Sequence, residues 1–173
     1  MSRATILVVL LLLGACSAYR DRSVAVLPAE VPVAALAGTW VEIARFPNVF
    51  QRGCGQSTAT YVPRPDGDIS VINACIEPGG TVRRAEGIAR VAGPGLLEVS
   101  FAPALPFAWS DYLILSLDGE VAVTASPGGG LAWILARRIC PTPEAIAEAL
   151  ALLEANGYRT ERMERFDTPS LRP

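Results

Sequence analysis

The sequence contains no histidine and no lysine, so all 15 of its basic residues are arginines. Without imidazole it has no His-ligated haem or zinc, no histidine general base and no nucleophile–histidine triad. Without lysine it has no Schiff-base chemistry, and arginine stays protonated and cannot shuttle protons in its place. Catalysis by carboxylates or cysteine remains possible, so an enzyme is disfavoured rather than excluded. Charge is also scarce: 18% of residues are charged and the net charge is −2. A nucleic acid would therefore find no basic footprint. The four cysteines show no C-x-x-C spacing, which removes the common metal and redox motifs. With 51% apolar residues in 173, the chain is no disordered segment and is long enough for one domain with a core or an enclosed cavity.

The N-terminus reads as an export signal. Arg3 is followed by an unbroken aliphatic run from Ile6 to Leu13, well short of the ~20 residues that span a bilayer as a helix. Leu13-Gly14-Ala15-Cys16 resembles a bacterial lipobox, in which the cysteine is acylated and becomes the mature N-terminus; ordinary cleavage after Ala18 is the alternative. The expected division is a signal peptide at 1–15, lipidated Cys16 and a tether at 16–37, a folded domain at 38–168 and a tail at 169–173. Ser17 after the cysteine fits sorting to the outer membrane, with the domain in the periplasm, where disulfides form.

From Gly38 onward, short apolar or alternating segments recur between Gly, Pro and Asp punctuation. Strands are expected near 39–46, 57–64, 69–76, 81–91, 96–101, 112–118, 121–126 and 131–137. Asp66-Gly67 and Asp118-Gly119 are hairpin signals. Gly128-Gly129-Gly130 precedes a strand and so is no phosphate loop. Thr142 is an N-cap, Pro143 a first helical residue, and Ile146, Ala149, Leu150 and Leu153 share one face of a helix that Asn156-Gly157 ends. A short polar segment from Thr160 to Phe166 suits a last edge strand. Eight strands can close a small barrel around one ligand, although a sandwich gives similar signals.

The segment Gly38-Thr39-Trp40-Val41-Glu42-Ile43-Ala44-Arg45 carries a Gly-x-Trp motif, continued by Phe46-Pro47-Asn48-Val49-Phe50-Gln51-Arg52-Gly53. Thr58-Ala59-Thr60-Tyr61, Val71-Ile72-Asn73, Ser110-Asp111-Tyr112 and Trp133-Ile134-Leu135-Ala136-Arg137 follow in order. Together these blocks resemble the lipocalin family, in particular bacterial outer-membrane lipocalins and their apolipoprotein-D-like relatives, over residues 36–166. The resemblance implies an all-β fold, an eight-stranded antiparallel up-and-down barrel with one C-terminal α-helix packed outside. It also implies that Gly38, Trp40 and Arg137 close one end, with Arg137 stacked on the indole.

Strand alternation then selects the interior. If Trp40 faces inward, Glu42 and Ala44 do too, and Val41, Ile43 and Arg45 face out. Trp133 shares a face with Arg137 but lies about 13 Å nearer the mouth, which makes it the leading ligand contact. Ala59, Tyr61, Asn73, Val99, Phe101, Tyr112 and Ile114 complete the candidate ligand-binding set; barrel filling is the competing role for each. Glu42 is expected to pair with an arginine near the rim. Pro103 to Trp109 reads as an apolar loop at one barrel end, where Phe107 and Trp109 could meet lipid.

If Asp66-Gly67 form a two-residue turn, residues i and 133 − i face each other and Cys75 lies opposite Thr58, close to Cys54. A Cys54–Cys75 disulfide is expected, with Cys140 a partly buried free thiol; Cys140 paired with either partner is the alternative. The functional expectation is a membrane-anchored protein that binds a fatty acid, lysophospholipid or similar ligand for envelope lipid transport, storage or repair. No catalytic residue, metal or cofactor is expected, its acyl chains meet the membrane, and a homodimer is left open. The alternatives are a structural lipoprotein with a packed barrel and a lipocalin-like enzyme acting on a bound lipid.

Overall fold

The computed structural model describes residues 19–166. Cys16, the signal peptide and the tail from 169 lie outside the described residues. Eight antiparallel strands close on themselves: β1 (Gly38–Arg45), β2 (Gln56–Pro63), β3 (Ile69–Ile76), β4 (Val82–Gly93), β5 (Leu96–Ser100), β6 (Ser110–Leu117), β7 (Val121–Ala125) and β8 (Ala132–Ala136). Each strand pairs with its sequence neighbour, and β1 pairs with both β2 and β8, so no edge of the barrel is left open. The connections before β2, β4, β6 and β8 therefore gather at one end, the mouth. Those before β3, β5 and β7 gather at the other end, with the start of β1.

Helix α1 (Pro143–Ala155) packs outside. Thr142 Oγ1 accepts from the Ala145 amide and Pro143 occupies the first turn, so the start follows the capping chemistry read from the sequence. Ala149 and Leu153 bury against Ile43, Ala44, Phe46, Leu115 and Val123 on the barrel's outer face. The edge strand expected across 160–166 is shorter: Thr160–Arg162 forms a 3-10 turn, and only β9 (Glu164–Arg165) pairs, with Ala44 and Arg45. It takes the side of β1 that β2 occupies only from Gly38 to Val41.

Two departures from sequence arithmetic move side chains. Pro63 pairs with Ile69, so the β2–β3 connection has five residues, closed by Arg64 N–H donating to Asp68 O and Gly67 N–H to Arg64 O. It is not the two-residue Asp-Gly turn. Cys75 therefore faces Ser57 rather than Thr58, and the expected register shifts by one residue. The second departure is a β-bulge between Glu42 and Ala44. Simple alternation put Ala44 inside and Arg45 outside; the extra residue reverses this, and Ala44 joins Ile43 beneath α1 while Arg45 bonds to Glu42 and Ser57.

Residues 19–37, part of the expected tether, run along the barrel. Tyr19 N–H bonds to Gly129 O, Ala29 N–H to Ile114 O, and a 3-10 turn at Val33–Leu36 buries Val33 and Leu36 in the barrel's closed end. Cys54 and Cys75 form a disulfide with Cα atoms 5.3 Å apart. Cys140 is free, as expected, but exposed rather than partly buried, because it lies after β8 and before α1.

Candidate ligand-binding site

The floor of the barrel is built on Trp40, which is fully buried. Its Nε1–H donates to Leu36 O at 2.7 Å, and the Arg137 guanidinium lies 3.7 Å from the ring centroid on its face. Arg137 also donates to the carbonyls of Ala35, Ala37 and Thr39. Gly38 has φ +100°, and a Cβ there would lie 2.7 Å from Arg137 Nη1, so both backbone and space demand glycine. Leu97, Ile114, Ala122 and Leu135 fill the layer around the indole. The structure thus places Ile114 in this packed layer, wholly buried.

Above the floor, the Tyr61 and Tyr112 hydroxyls meet at 2.8 Å, and Tyr112 donates onward to Thr124 Oγ1 at 2.8 Å. Burial pushes the Tyr61 phenol well above its ordinary pKa and raises that of Tyr112 to about 12. Trp133 lies beside Tyr112, with ring centroids 5.8 Å apart. Its Nε1–H donates to Gln51 Oε1 at 3.0 Å, while Gln51 Nε2 donates to Glu42 Oε2 at 2.6 Å. Gln51 comes from the 3-10 turn Val49–Gln51, which Asn48 caps by accepting from the Phe50 and Gln51 amides. The β1–β2 connection thus reaches into the mouth with a polar side chain.

Glu42 also accepts from Arg45 Nη1 at 2.6 Å, and both are about 4% exposed. Burial raises the Glu42 carboxyl above its ordinary value, outweighing the opposing pull of Gln51 and Arg45. Arg45 is held further by the carbonyls of Gln51 and Cys54, by Glu164, and by the Phe166 ring 4.4 Å away. The expected rim pairing of Glu42 is present, with the arginine from its own strand.

The opposite wall is different. Register aligns Ala59 with Asn73 and Ala85, then Tyr61 with Val71 and Gly87. Val99 pairs with Ala89 beside them. Ala59, Asn73, Gly87 and Val99 are half-buried, and Ala85 is exposed. The Phe101 ring covers Gly87, where a Cβ would come within 2.9 Å of it. The side-chain amide of Asn73 bonds to no other described residue, while its backbone pairs with β2 and β4. A lane of small side chains therefore runs down from the mouth, facing Trp133 and Tyr112. It suits an aliphatic chain, with Asn73 available to a polar head.

Of the eight ligand contacts expected from the sequence, seven line this upper half and Ile114 lies beneath it. Ala85, Gly87, Gln51 and Arg45 were not anticipated. Alternation along β4 would have supplied the first two, whereas the bulge and the inserted turn have no period to read. Among the described residues no cluster of His, Cys, Asp or Glu could hold a metal ion.

Closed up-and-down topology, a sealed floor and a mouth-side lane define a barrel of the ligand-holding kind. A family model for the lipocalin-like domain matches residues 31–168. The outer membrane lipoprotein Blc of Escherichia coli K12 is 38% identical over 127 residues, 70% of each chain. Mouse apolipoprotein D is 34% identical over 142 residues, 75% of this chain and 73% of that protein. Insecticyanin from the tobacco hornworm superposes with a TM-score of 0.62 at 18% identity, over 84% of this chain and 86% of that one. The chain belongs to the lipocalin family.

Proposed function

We propose that this lipocalin holds a fatty acid, lysophospholipid or similar amphiphile in the upper half of its barrel, as a carrier without catalytic activity, for envelope lipid transport, storage or repair. The carrying observation is the lane Ala59, Asn73, Ala85, Gly87 and Val99, left partly open opposite Trp133 and Tyr112. An alkyl chain gains about 0.8 kcal/mol per buried methylene, and this wall has no charge to oppose it. The site residues proposed are Trp133, Tyr112, Tyr61, Asn73, Ala59, Val99 and Phe101, to which Ala85 and Gly87 are added. Trp40, Gly38 and Arg137 hold the floor.

The lipobox-like run ending at Cys16 and the relatives named outer membrane lipoproteins support an acylated Cys16 that anchors the domain at the outer membrane, in the periplasm. The division into signal peptide, anchor and domain belongs to the same proposal. Native mass spectrometry of protein purified without detergent tests the ligand. An adduct of fatty-acid or lysophospholipid mass is expected, and its loss in Ala85→Phe, which puts a ring into the lane at a position with room for it, should follow. An adduct-free protein that also ignores added fatty acid would favour a packed structural lipoprotein, the reading that the solid lower half supports.

A further inference from the structure

Among the described residues, seven of the ten exposed large apolar side chains lie at the mouth end. They include Val49 at 69% and Phe50 at 76% in the β1–β2 connection, and Phe107 at 84% with Leu105 in the β5–β6 connection. Ile76 and Val82 flank the β3–β4 turn beside them. Trp109, in the same β5–β6 connection, instead folds against the outer wall, where Arg90 stacks on it at 3.7 Å. Phe107 is thus presented alone at the tip. The opposite end carries Arg64-Pro65-Asp66-Gly67-Asp68 and Asp118-Gly119-Glu120, with ion pairs Arg64–Asp66 and Arg138–Glu120. The exposed apolar residues away from the mouth, Leu27, Val62 and Val91, do not form a group with one another in any connection. The mouth carries charge too, in the Arg83–Glu77 ion pair of the β3–β4 turn, but among the described residues bare phenylalanines stand at this end alone, which gives the barrel a polar axis.

The chain's entry point has the same polarity. Tyr19 stacks on Phe46 at 4.5 Å, its hydroxyl reaches Pro47 O, and its amide bonds to Gly129 O, all at the mouth end. Cys16 precedes Tyr19 by three residues, a reach of at most ~11 Å. The closed end lies about 25 Å away along an eight-residue strand, beyond that reach.

We infer that the mouth docks on a lipid bilayer, with Phe50 and Phe107 entering the headgroup boundary and the lane opening toward the membrane. Exposed Arg52, two residues after Phe50, stands where a cation meets lipid phosphates. This inference rests on the anchoring at Cys16 proposed above for its orientation, and on the loop tips for its contact surface. A ligand drawn from the membrane would then enter the barrel without crossing water.

The test couples the chain from Cys16 onward, carrying Cys140→Ser, through its Cys16 thiol to a maleimide-headgroup lipid. The vesicles contain phosphatidylethanolamine and phosphatidylglycerol, with or without brominated acyl chains. In a Trp109→Phe, Trp133→Phe background, where Trp40 stays buried in the floor, Phe107→Trp reports on the mouth and Asp66→Trp on the closed end. Bromine should quench the tryptophan at 107 and leave that at 66 unchanged. Equal fluorescence loss at both positions, or none at 107, overturns the inference. So does a dimer in sedimentation that Phe107→Ser disperses, because a second copy would then cover the mouth. Chemical coupling separates the two readings. Mass analysis of the cellular product showing no acyl group would remove the anchor proposal while the docking result stands, and an acylated product with an unquenched 107 would do the reverse.

Discussion

Arg45 and Glu42 share a buried contact of 2.6 Å that exists because β1 carries one extra residue between them. Without the bulge, the two side chains, three positions apart, would stand on opposite faces of the strand. The contact ties Gln51 through Glu42 and the Cys54 carbonyl through Arg45, so the β1–β2 connection is fastened to the barrel from inside. Glu42→Ala should cost about 3–5 kcal/mol, because it leaves a guanidinium buried without its main partner. The double replacement Glu42→Leu with Arg45→Met should recover much of that loss. Urea unfolding of the three variants measures it, and a double variant no better than the single one would show that the pair itself is strongly stabilising.

The floor makes a second prediction. Trp40→Ala removes the ring beneath Arg137 and the donor to Leu36 O, and should cost about 3–5 kcal/mol. Gly38→Ala should cost about 1–3 kcal/mol, since it combines a positive φ with the displaced guanidinium. Arg137→Lys cannot reproduce a planar fork that faces the indole and three carbonyls at once. At temperatures where these variants stay folded, fatty-acid affinity should be unchanged, because the floor lies below the lane. Calorimetric melting paired with a binding titration separates stability from affinity.

Strand alternation made the walls readable. Trp133, Tyr112, Val99, Asn73, Tyr61 and Ala59 face one interior because each sits in a regular stretch whose parity two residues are enough to set. Thr142 and Pro143 likewise mark their helix by local chemistry. Alternation fails where a residue is inserted, and so Ala44 and Arg45 exchange faces at the bulge. Turn length is similarly hidden: Asp66-Gly67 signals a turn, but Arg64 and Asp68 lengthen it through tertiary hydrogen bonds. The segment 19–37 has few periodic positions, and only Val33 and Leu36, spaced i and i+3, hint that it plugs the closed end.

The tyrosine chain ties stability to alkaline pH. Tyr112 has its phenol raised to about 12 and Tyr61 higher still, through burial. A phenol whose folded value is raised stabilises the fold below its ordinary value of about 10, and that contribution is lost as pH rises toward the folded value. Ultraviolet titration of the native protein should therefore show Tyr61 and Tyr112 still unionised above pH about 10 until the barrel unfolds, with Tyr158 also held back by its burial. Tyr112→Phe, which strands Tyr61 and Thr124, should cost about 1–3 kcal/mol near neutral pH and make the loss of stability above pH about 10 shallower, because one raised phenol is gone. Ionisation of all four tyrosines in a single step near the ordinary value would mean that the chain is open to water.

The last prediction concerns the sulfurs. Cys54 and Cys75 join the end of the β1–β2 connection to β3, 21 positions apart in the sequence. Closing a loop of this size removes conformational entropy from the unfolded chain and should contribute about 3 kcal/mol. The same bridge keeps the turn that carries Gln51 beside Glu42 and Trp133, while Gly55 N–H bonds to Ile76 O at its foot. Cys54→Ser with Cys75→Ser should therefore destabilise the protein and also speed hydrogen exchange selectively in residues 46–55, where freed ends let Gln51 leave the mouth. Cys140 is exposed, so it should react with a thiol reagent in the native protein within the mixing time, whereas the other two react only after reduction. Non-reducing peptide mapping reads the connectivity directly. A linked peptide containing Cys140, or exchange in 46–55 that ignores the double serine variant, would remove the clamp from this account.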